Sequence, residues 1–443
     1  MTHGFLHYLL SVLDPMVNLG FSQAISELMV SELPWWWFII VIPFFLTMVP
    51  SLVVWAVYLV RPTWIRPALP TQLQAEPLVS IVIAGRNESA TIGECIRGAL
   101  LCGYKNLEVI FVDDNSEDQS LAIARRATLT ATGNRRDSER VRIFPSPRRN
   151  GKASSLNIGI RMARGEFIAI TDADSVVQYG AIQHWLLPFR DPRVGAVAAN
   201  IRVNNSTASL LTRFQEIEYA LKAPNKSALA YLNLLYIISG MGGMFRGEIL
   251  RKLGGFDTGL GDDRDLTMMI RKQRWRLAFS WDAVVWTTCP VTRSHLQKQR
   301  ARWRRNVVKI CVSKHRDQFA LGRYGLSNTW LALQIVFGRM VFPIAVVIGM
   351  IWTTATAGPL QSPQILVTVY WVVLLCLLIR VLLTRDMAGT PMPLNFLLVP
   401  LYPFYLLFLV GSAQWYAEMT ELFRIGAKHH YVPDHIWEEI PWW

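Results

Sequence analysis

The chain has 443 residues, of which 52% are apolar and only 17% charged, yet its 45 Lys and Arg against 32 Asp and Glu leave a net charge of +13. This length suits about two or three domains. The composition excludes a disordered chain, a secreted disulfide scaffold and most ordinary cytosolic enzymes, and so much apolar sequence argues against a nucleic-acid binder. What remains is a membrane protein whose basic part faces anionic lipid or an anionic ligand.

In chain order, residues 1–34 are apolar but broken by Asp14 and Pro15, which predicts an interfacial segment. Residues 35–60 carry no charge and are long enough for a transmembrane helix. No Lys or Arg precedes Arg61 and Arg66, so the positive-inside rule places the N-terminus outside and the following sequence in the cytoplasm. Without a basic leading region, no cleaved signal is expected.

Residues 75–285 predict a soluble domain. Short runs rich in Val and Ile at 78–84, 107–112, 141–144, 167–171 and 194–199 read as strands, and helix-compatible stretches at 91–101, 120–130 and 154–163 separate the first of them. Such alternation predicts an α/β fold with a mostly parallel sheet covered by helices. The five cysteines (Cys95, Cys102, Cys289, Cys311 and Cys376) are scattered without metal-site spacing and read as reduced structural thiols.

In an open α/β sheet, ligands bind beyond the carboxyl ends of the strands. Two runs here end in acids: one in Asp113-Asp114-Asn115-Ser116, the other in Thr171-Asp172-Ala173-Asp174. Carboxylates at i and i+2 suit a hard divalent cation shared with substrate phosphates, although either cluster alone is equally a turn after a strand. A third group, Gly261-Asp262-Asp263-Arg264-Asp265, precedes an amphipathic helix at 266–273. Adjacent carboxylates raise each other's pKa and favour general-base chemistry, and the same residues also suit a helix N-terminus.

Residues 286–327 predict basic interface helices. Between 283 and 316 lie nine Lys or Arg and no acid: Arg293, Lys298, Arg300, Arg302, Arg304, Arg305, Lys309, Lys314 and Arg316. Most are expected to lie on anionic lipid. Gln299-x-x-Arg302-Trp303 asks for more, since a Trp offers a stacking platform for sugar and an Arg a fork for phosphate. Residues 328–417 then hold three apolar blocks, at 329–357, 364–383 and 394–416, read as three transmembrane helices bent at Pro343, Pro400 and Pro403. Arg339 inside the first is either functional or snorkelling. A C-terminal tail occupies 418–443.

The ordered set Ile83-Ala84-Gly85-Arg86-Asn87-Glu88, Val112-Asp113-Asp114-Asn115-Ser116, Asn150-Gly151-Lys152, Asp172-Ala173-Asp174, Ser239-Gly240, Gly261-Asp262-Asp263-Arg264 and Gln299-Arg300-Ala301-Arg302-Trp303 resembles the family 2 glycosyltransferases. Within that family it is similar to the processive membrane-bound synthases of hyaluronan, chitooligosaccharide and poly-N-acetylglucosamine. The resemblance implies a GT-A domain that binds a nucleotide diphosphate sugar, with a divalent cation (Mg²⁺ or Mn²⁺) as cofactor. It implies that Asp113 or Asp114 contacts the uridine, Lys152 the nucleotide or diphosphate, and Asp172 with Asp174 the metal-diphosphate. Asp263, beside Asp262, is implied as the general base, Trp303 as the platform for the acceptor sugar, and Arg302 as a diphosphate contact. Asn87, Glu88 and Gln299 complete the implied substrate-binding set. Arg86 stands where an aromatic residue is common in the family, and Arg304-Arg305-Asn306 follows Trp303 where several relatives carry Gly.

The activity so implied is inverting polymerisation of a UDP-sugar, with UDP-N-acetylglucosamine foremost, into an extracellular polysaccharide passed through a multi-pass inner or plasma membrane protein. Its partners are the nucleotide sugar, the growing polysaccharide and membrane lipid, with room for an accessory subunit. A non-processive transferase to a lipid-linked acceptor is the alternative. A transporter or receptor with an inactive soluble domain is a third reading, which the intact motifs disfavour.

Overall fold

The computed structural model describes residues 76–132, 139–258, 263–320, 322–335 and 394–423, with isolated positions between 56 and 60 and between 348 and 381. The segment 1–34, most of the spans at 35–60, 329–357 and 364–383, Arg339 and the tail beyond 423 lie outside those residues.

The first half alternates strand and helix: β1 (Val79–Gly85), α1 (Ile92–Leu100), β2 (Leu107–Asp113), α2 (Ser120–Thr132), β3 (Val141–Pro145), α3 (Lys152–Met162) and β4 (Phe167–Asp172). There follow β5 (Ser175–Val177), α4 (Ala181–Leu186), β6 (Val194–Val203), α5 (Leu210–Tyr231), β7 (Gly243–Arg246), α6 (Gly247–Lys252), α7 (Asp263–Lys272), β8 (Arg276–Thr287), α8 (Arg293–Val308) and α9 (Leu326–Ile335). Every expected strand forms; the Val and Ile runs of β1, β2, β4 and β6 are buried on both faces of the sheet, whereas β3 is half-buried. Val79, Ile81 and Ile83 of β1 enter one core with Ile92, Ile96 and Ala124 from α1 and α2. The alternate residues Val82 and Ala84 enter a second core with Leu156 and Ile160 of α3.

The strand order β3-β2-β1-β4-β7-β6-β8-β5 joins all eight described strands in one sheet. Here the expectation of a mostly parallel sheet needs correction. β3-β2, β2-β1, β1-β4 and β6-β8 pair in parallel, whereas β4-β7, β7-β6 and β8-β5 are antiparallel. The sheet is therefore mixed. β7, at four residues, and β5, at three, are too short to declare themselves in the sequence. β8 is interrupted by Ser280 and Asp282, and pairing with β6 on one side and β5 on the other makes it a strand.

β1 runs between β2 and β4, with Gly85 opposite Asp113 and Ala84 opposite Asp172. The carboxyl ends of three parallel strands thus gather the acidic motifs at one edge. Glu108, a charge inside β2, is satisfied there by the Ser80 hydroxyl at 2.6 Å and by the Arg164 guanidinium at 3.0 Å.

Beyond the sheet, α5 begins with a reciprocal cap: Thr212 N–H donates to Ser209 Oγ at 3.1 Å, and Ser209 N–H to Thr212 Oγ1 at 2.9 Å. Its Phe214, Ile217 and Leu221 pack against Val399, Tyr402 and Tyr405. Those last residues belong to Leu397–Glu421, a helix of 25 residues with mean hydropathy 1.6 and the one helix among the described residues long and apolar enough to cross a membrane. Pro400 falls in its 3₁₀ opening turns and Pro403 just before a π-helical stretch, Tyr405–Gly411, as expected for residues that cannot complete the regular helical ladder.

Candidate active site

A cleft of about 1120 Å³ opens beyond the carboxyl ends of β1 and β4 and is closed on its other sides by α5, α7 and α8. Glu88, Asp114, Lys152, Asp172, Asp174, Asp263, Gln299, Arg302 and Trp303 all line it, although they come from six separate motifs.

At the acidic end, Lys152 Nζ donates to Asp172 Oδ1 at 2.5 Å. Burial, together with Asp172 and Glu88, pushes the Asp174 carboxyl up to about 7, even though Ser175 Oγ donates to it at 3.0 Å. Burial likewise raises Glu88, helped by Asp172 and opposed by Thr91 and Lys152. Three carboxylates facing one lysine leave an excess of negative charge that a divalent cation would neutralise. Among the described residues, no three His, Cys, Asp or Glu side chains converge to hold an ion by themselves. That donor set fits Mg²⁺ or Mn²⁺ bound jointly by Asp172, Asp174 and phosphates from a substrate.

Asp113 and Asp114 play a different part. Asp113 accepts from Ser116 Oγ at 2.5 Å and from Ser116 N–H at 3.1 Å, closing the turn after β2. Asp114 accepts from Asn150 N–H at 2.7 Å, Gly151 N–H at 2.9 Å and Ser155 Oγ at 3.1 Å, which ties β2 to the start of α3. Gly151 sits at φ 83°, a left-handed conformation that a side chain would resist, and the turn it makes delivers Lys152 to the cleft. Asn87 is also left-handed and accepts from Glu117 N–H at 2.9 Å; neither it nor Asp113 lines the cleft.

Across the cleft, Asp263 opens α7, and Gly240 N–H donates to its Oδ2 at 3.0 Å. The helix N-terminus favours its ionised form. Asp262 lies outside the described residues. On α8, the Arg300 guanidinium lies 4.3 Å from the centre of the Trp303 ring and Lys222 Nζ 5.6 Å from it. Gln299 points its Oε1 inward with no hydrogen-bond partner among the described residues.

Part of the basic segment turns into the protein: at least four of its nine cations make ion pairs with described residues. Arg300 reaches Glu218 at 2.9 Å, Arg304 reaches Glu418 at 2.7 Å, Lys309 reaches Glu421 at 3.2 Å, and Lys314 reaches Asp265 at 2.9 Å. Acids brought in from α5, α7 and the apolar helix make this possible, and no local spacing foretells it. Glu218 is the hub of the first set: Lys222 Nζ donates to Oε1 at 2.7 Å, and Tyr405 OH donates to Oε2 at 2.9 Å. Glu218, Lys222, Lys226 and Tyr236 escaped the sequence reading. The only local hint was the Glu218-Lys222-Lys226 spacing of four.

A mixed sheet with carboxylates gathered at its parallel strand ends, facing an acidic helix start and an Arg-Trp helix, defines a GT-A-like fold. The model of the family described as "Glycosyltransferase like family 2" matches residues 76–306, so the chain belongs to this family and is a family 2 glycosyltransferase. Among curated relatives it is similar to a poly-β-1,6-N-acetyl-D-glucosamine synthase of Staphylococcus aureus, 28% identical over 228 residues, 51% of this chain and 53% of that protein. A β-monoglucosyldiacylglycerol synthase of Trichormus variabilis is 27% identical over 274 residues, 61% of this chain and 57% of that one. The chain thus spans about half the length of the curated relatives it matches. A mannosyltransferase from Pyrobaculum calidifontis, solved with GDP-Man and Mn²⁺, shares the fold with a TM-score of 0.61 at 21% identity, covering 88% of this chain and 100% of that one.

Proposed function

We propose that this enzyme is a membrane-embedded inverting transferase that polymerises sugar from a UDP-sugar, UDP-N-acetylglucosamine foremost, into an extracellular polysaccharide and translocates it. The observation that carries this reading is the single cleft in which Asp172 and Asp174 stand opposite Asp263, with Arg302 and Trp303 on its wall. In this reading the acceptor hydroxyl oxygen attacks the anomeric carbon while its proton passes to the Asp263 carboxylate. The bond from that carbon to the diphosphate breaks, and the nucleoside diphosphate leaves. Arg302 and Lys152 meet the charge that develops on the leaving group. A divalent cation at Asp172 and Asp174 supplies further neutralisation there when bound.

Gly240 N–H, which donates to the Asp263 carboxylate, supports its positioning for this role. Asp263→Asn is expected to lower turnover by about 10² to 10⁴ while nucleotide binding survives. Steady-state UDP release and a nucleotide-binding titration check both halves; near-normal synthesis by the variant removes Asp263 from the role. Incubation of the purified protein with single nucleotide sugars, with and without chelator, and product mass determination test donor, metal and processivity together. A product bearing one added sugar on lipid would favour the second reading, single transfer to a lipid-linked acceptor. One feature supports that alternative: the cleft extends to Gln414 of the apolar helix.

A further inference from the structure

The cleft has two ends of opposite charge. The charged groups that act most strongly on Asp174 are Asp172, Glu88 and Lys152. Those that face Lys226 are Lys222, Tyr236 and Asp263. The acidic end is the one that the donor and its cation require. At the other end stand cations for which the proposed transfer gives no task.

Lys226 follows Lys222 by one helical turn on α5. Lys222 is neutralised by Glu218, at 2.7 Å. Lys226 makes neither a hydrogen bond nor an ion pair with any described residue, yet it is partly enclosed in the cleft. Burial, with Lys222 close by, pushes its ammonium down to about 8. Arg264, directly after Asp263, is only 7% exposed and also lines the cleft. Its Nη1 is enclosed with no hydrogen-bond partner among the described residues. Its guanidinium stacks 5.2 Å over the Tyr236 ring, and Tyr236 is in turn a neighbour of Lys226. Among the described residues, two enclosed cations therefore meet around Tyr236 near the single carboxylate of Asp263. Enclosed charge of this kind is costly unless an anion matches it. A doubly charged oxyanion matches two cations better than a single carboxylate does, and an Arg beside a Lys suits phosphate oxygens.

We propose that Lys226 and Arg264 form a phosphate subsite on the acceptor side, so that the acceptor on which synthesis starts carries a phosphate next to the sugar that receives the transfer. The inference rests on Asp263 marking the acceptor end. The phosphate belongs either to a lipid-linked sugar, which the reach of the cleft to Gln414 accommodates, or to a soluble sugar phosphate.

The test uses the full-length protein in detergent with the nucleotide sugar it turns over. Three acceptors are compared: a neutral N-acetylglucosamine oligomer, N-acetylglucosamine 1-phosphate, and N-acetylglucosamine linked through diphosphate to a polyisoprenol in mixed micelles. A phosphorylated acceptor is expected to show a KM about tenfold or more below that of the neutral one. Lys226→Met should raise that KM by a similar factor, Lys226→Arg should restore it, and the donor KM should stay unchanged in both. Inorganic phosphate should compete with the acceptor, and less effectively in the Met variant. The lipid-linked and soluble arms then identify the source of the phosphate. Equal KM values for neutral and phosphorylated acceptors overturn the proposal. So does a rise confined to the donor KM, which would assign these cations to the nucleotide. Full turnover by Asp263→Asn would remove the base but leave the acceptor KM comparison readable, so the two failures can be told apart.

Discussion

At the scale of single residues, Glu218 is a buried charge that no motif announces. Burial alone would raise its pKa, but Lys222 and Arg300 hold it down to about 2 from an ordinary 4.5. A depressed carboxylate contributes stability that is fully present above its unfolded value and is lost as pH falls through its folded value. For Glu218 that window runs from about pH 4.5 down to about 2, and the full contribution is on the order of 3 kcal/mol. Glu218→Gln should lower the melting temperature at neutral pH and flatten its fall in acid, as a thermal-shift series in detergent from pH 7 to pH 3 would show. An unchanged slope would mean that the Arg300 and Lys222 pairs add nothing. The acidic motifs were legible as clusters, but Asp114 and Asp172 look alike in sequence. Only the fold turns the first toward the backbone of Asn150 and Gly151 and the second toward Lys152.

At the scale of elements, the sequence marks β1, β2 and β4 because burial on both faces demands continuous apolar runs. It marks β8 and α5 poorly, because each exposes polar positions whose partners lie far away in the chain. α8 makes the same point with charge. Lys309, just beyond its end, and Glu421 of the apolar helix have side chains only 2% and 3% exposed, and they are 3.2 Å apart. Breaking a buried pair leaves one uncompensated charge, whereas replacing both partners by apolar groups removes the problem. Lys309→Met or Glu421→Leu alone is thus expected to destabilise by about 3 to 5 kcal/mol, and the double variant to recover most of that loss. Thermal inactivation of the four proteins of this cycle measures the coupling. Additive losses would show the pair to be incidental.

At the scale of the whole molecule, the cleft unites Glu88 and Trp303, about 215 positions apart in the chain. If Trp303 carries the growing chain, Trp303→Ala should shorten the product while UDP release persists, which size analysis of labelled polymer would reveal. Full-length product from that variant would free the indole from this task and leave it as the partner of Arg300.

By itself the sequence determined the family, the parallel core of the sheet and the acidic strand ends, because these follow from local runs and ordered motifs whose chemistry is carried by adjacent residues. It also determined that an apolar chain with few charges would nonetheless be basic. The tertiary structure alone decided where that basic charge goes: much of it turns inward to Glu218, Glu418, Glu421 and Asp265. It alone placed Lys226 beside Tyr236 and Asp263. The physical reason is that composition fixes how many charges a chain carries, whereas the cost of burying each one depends on partners that only folding brings within reach.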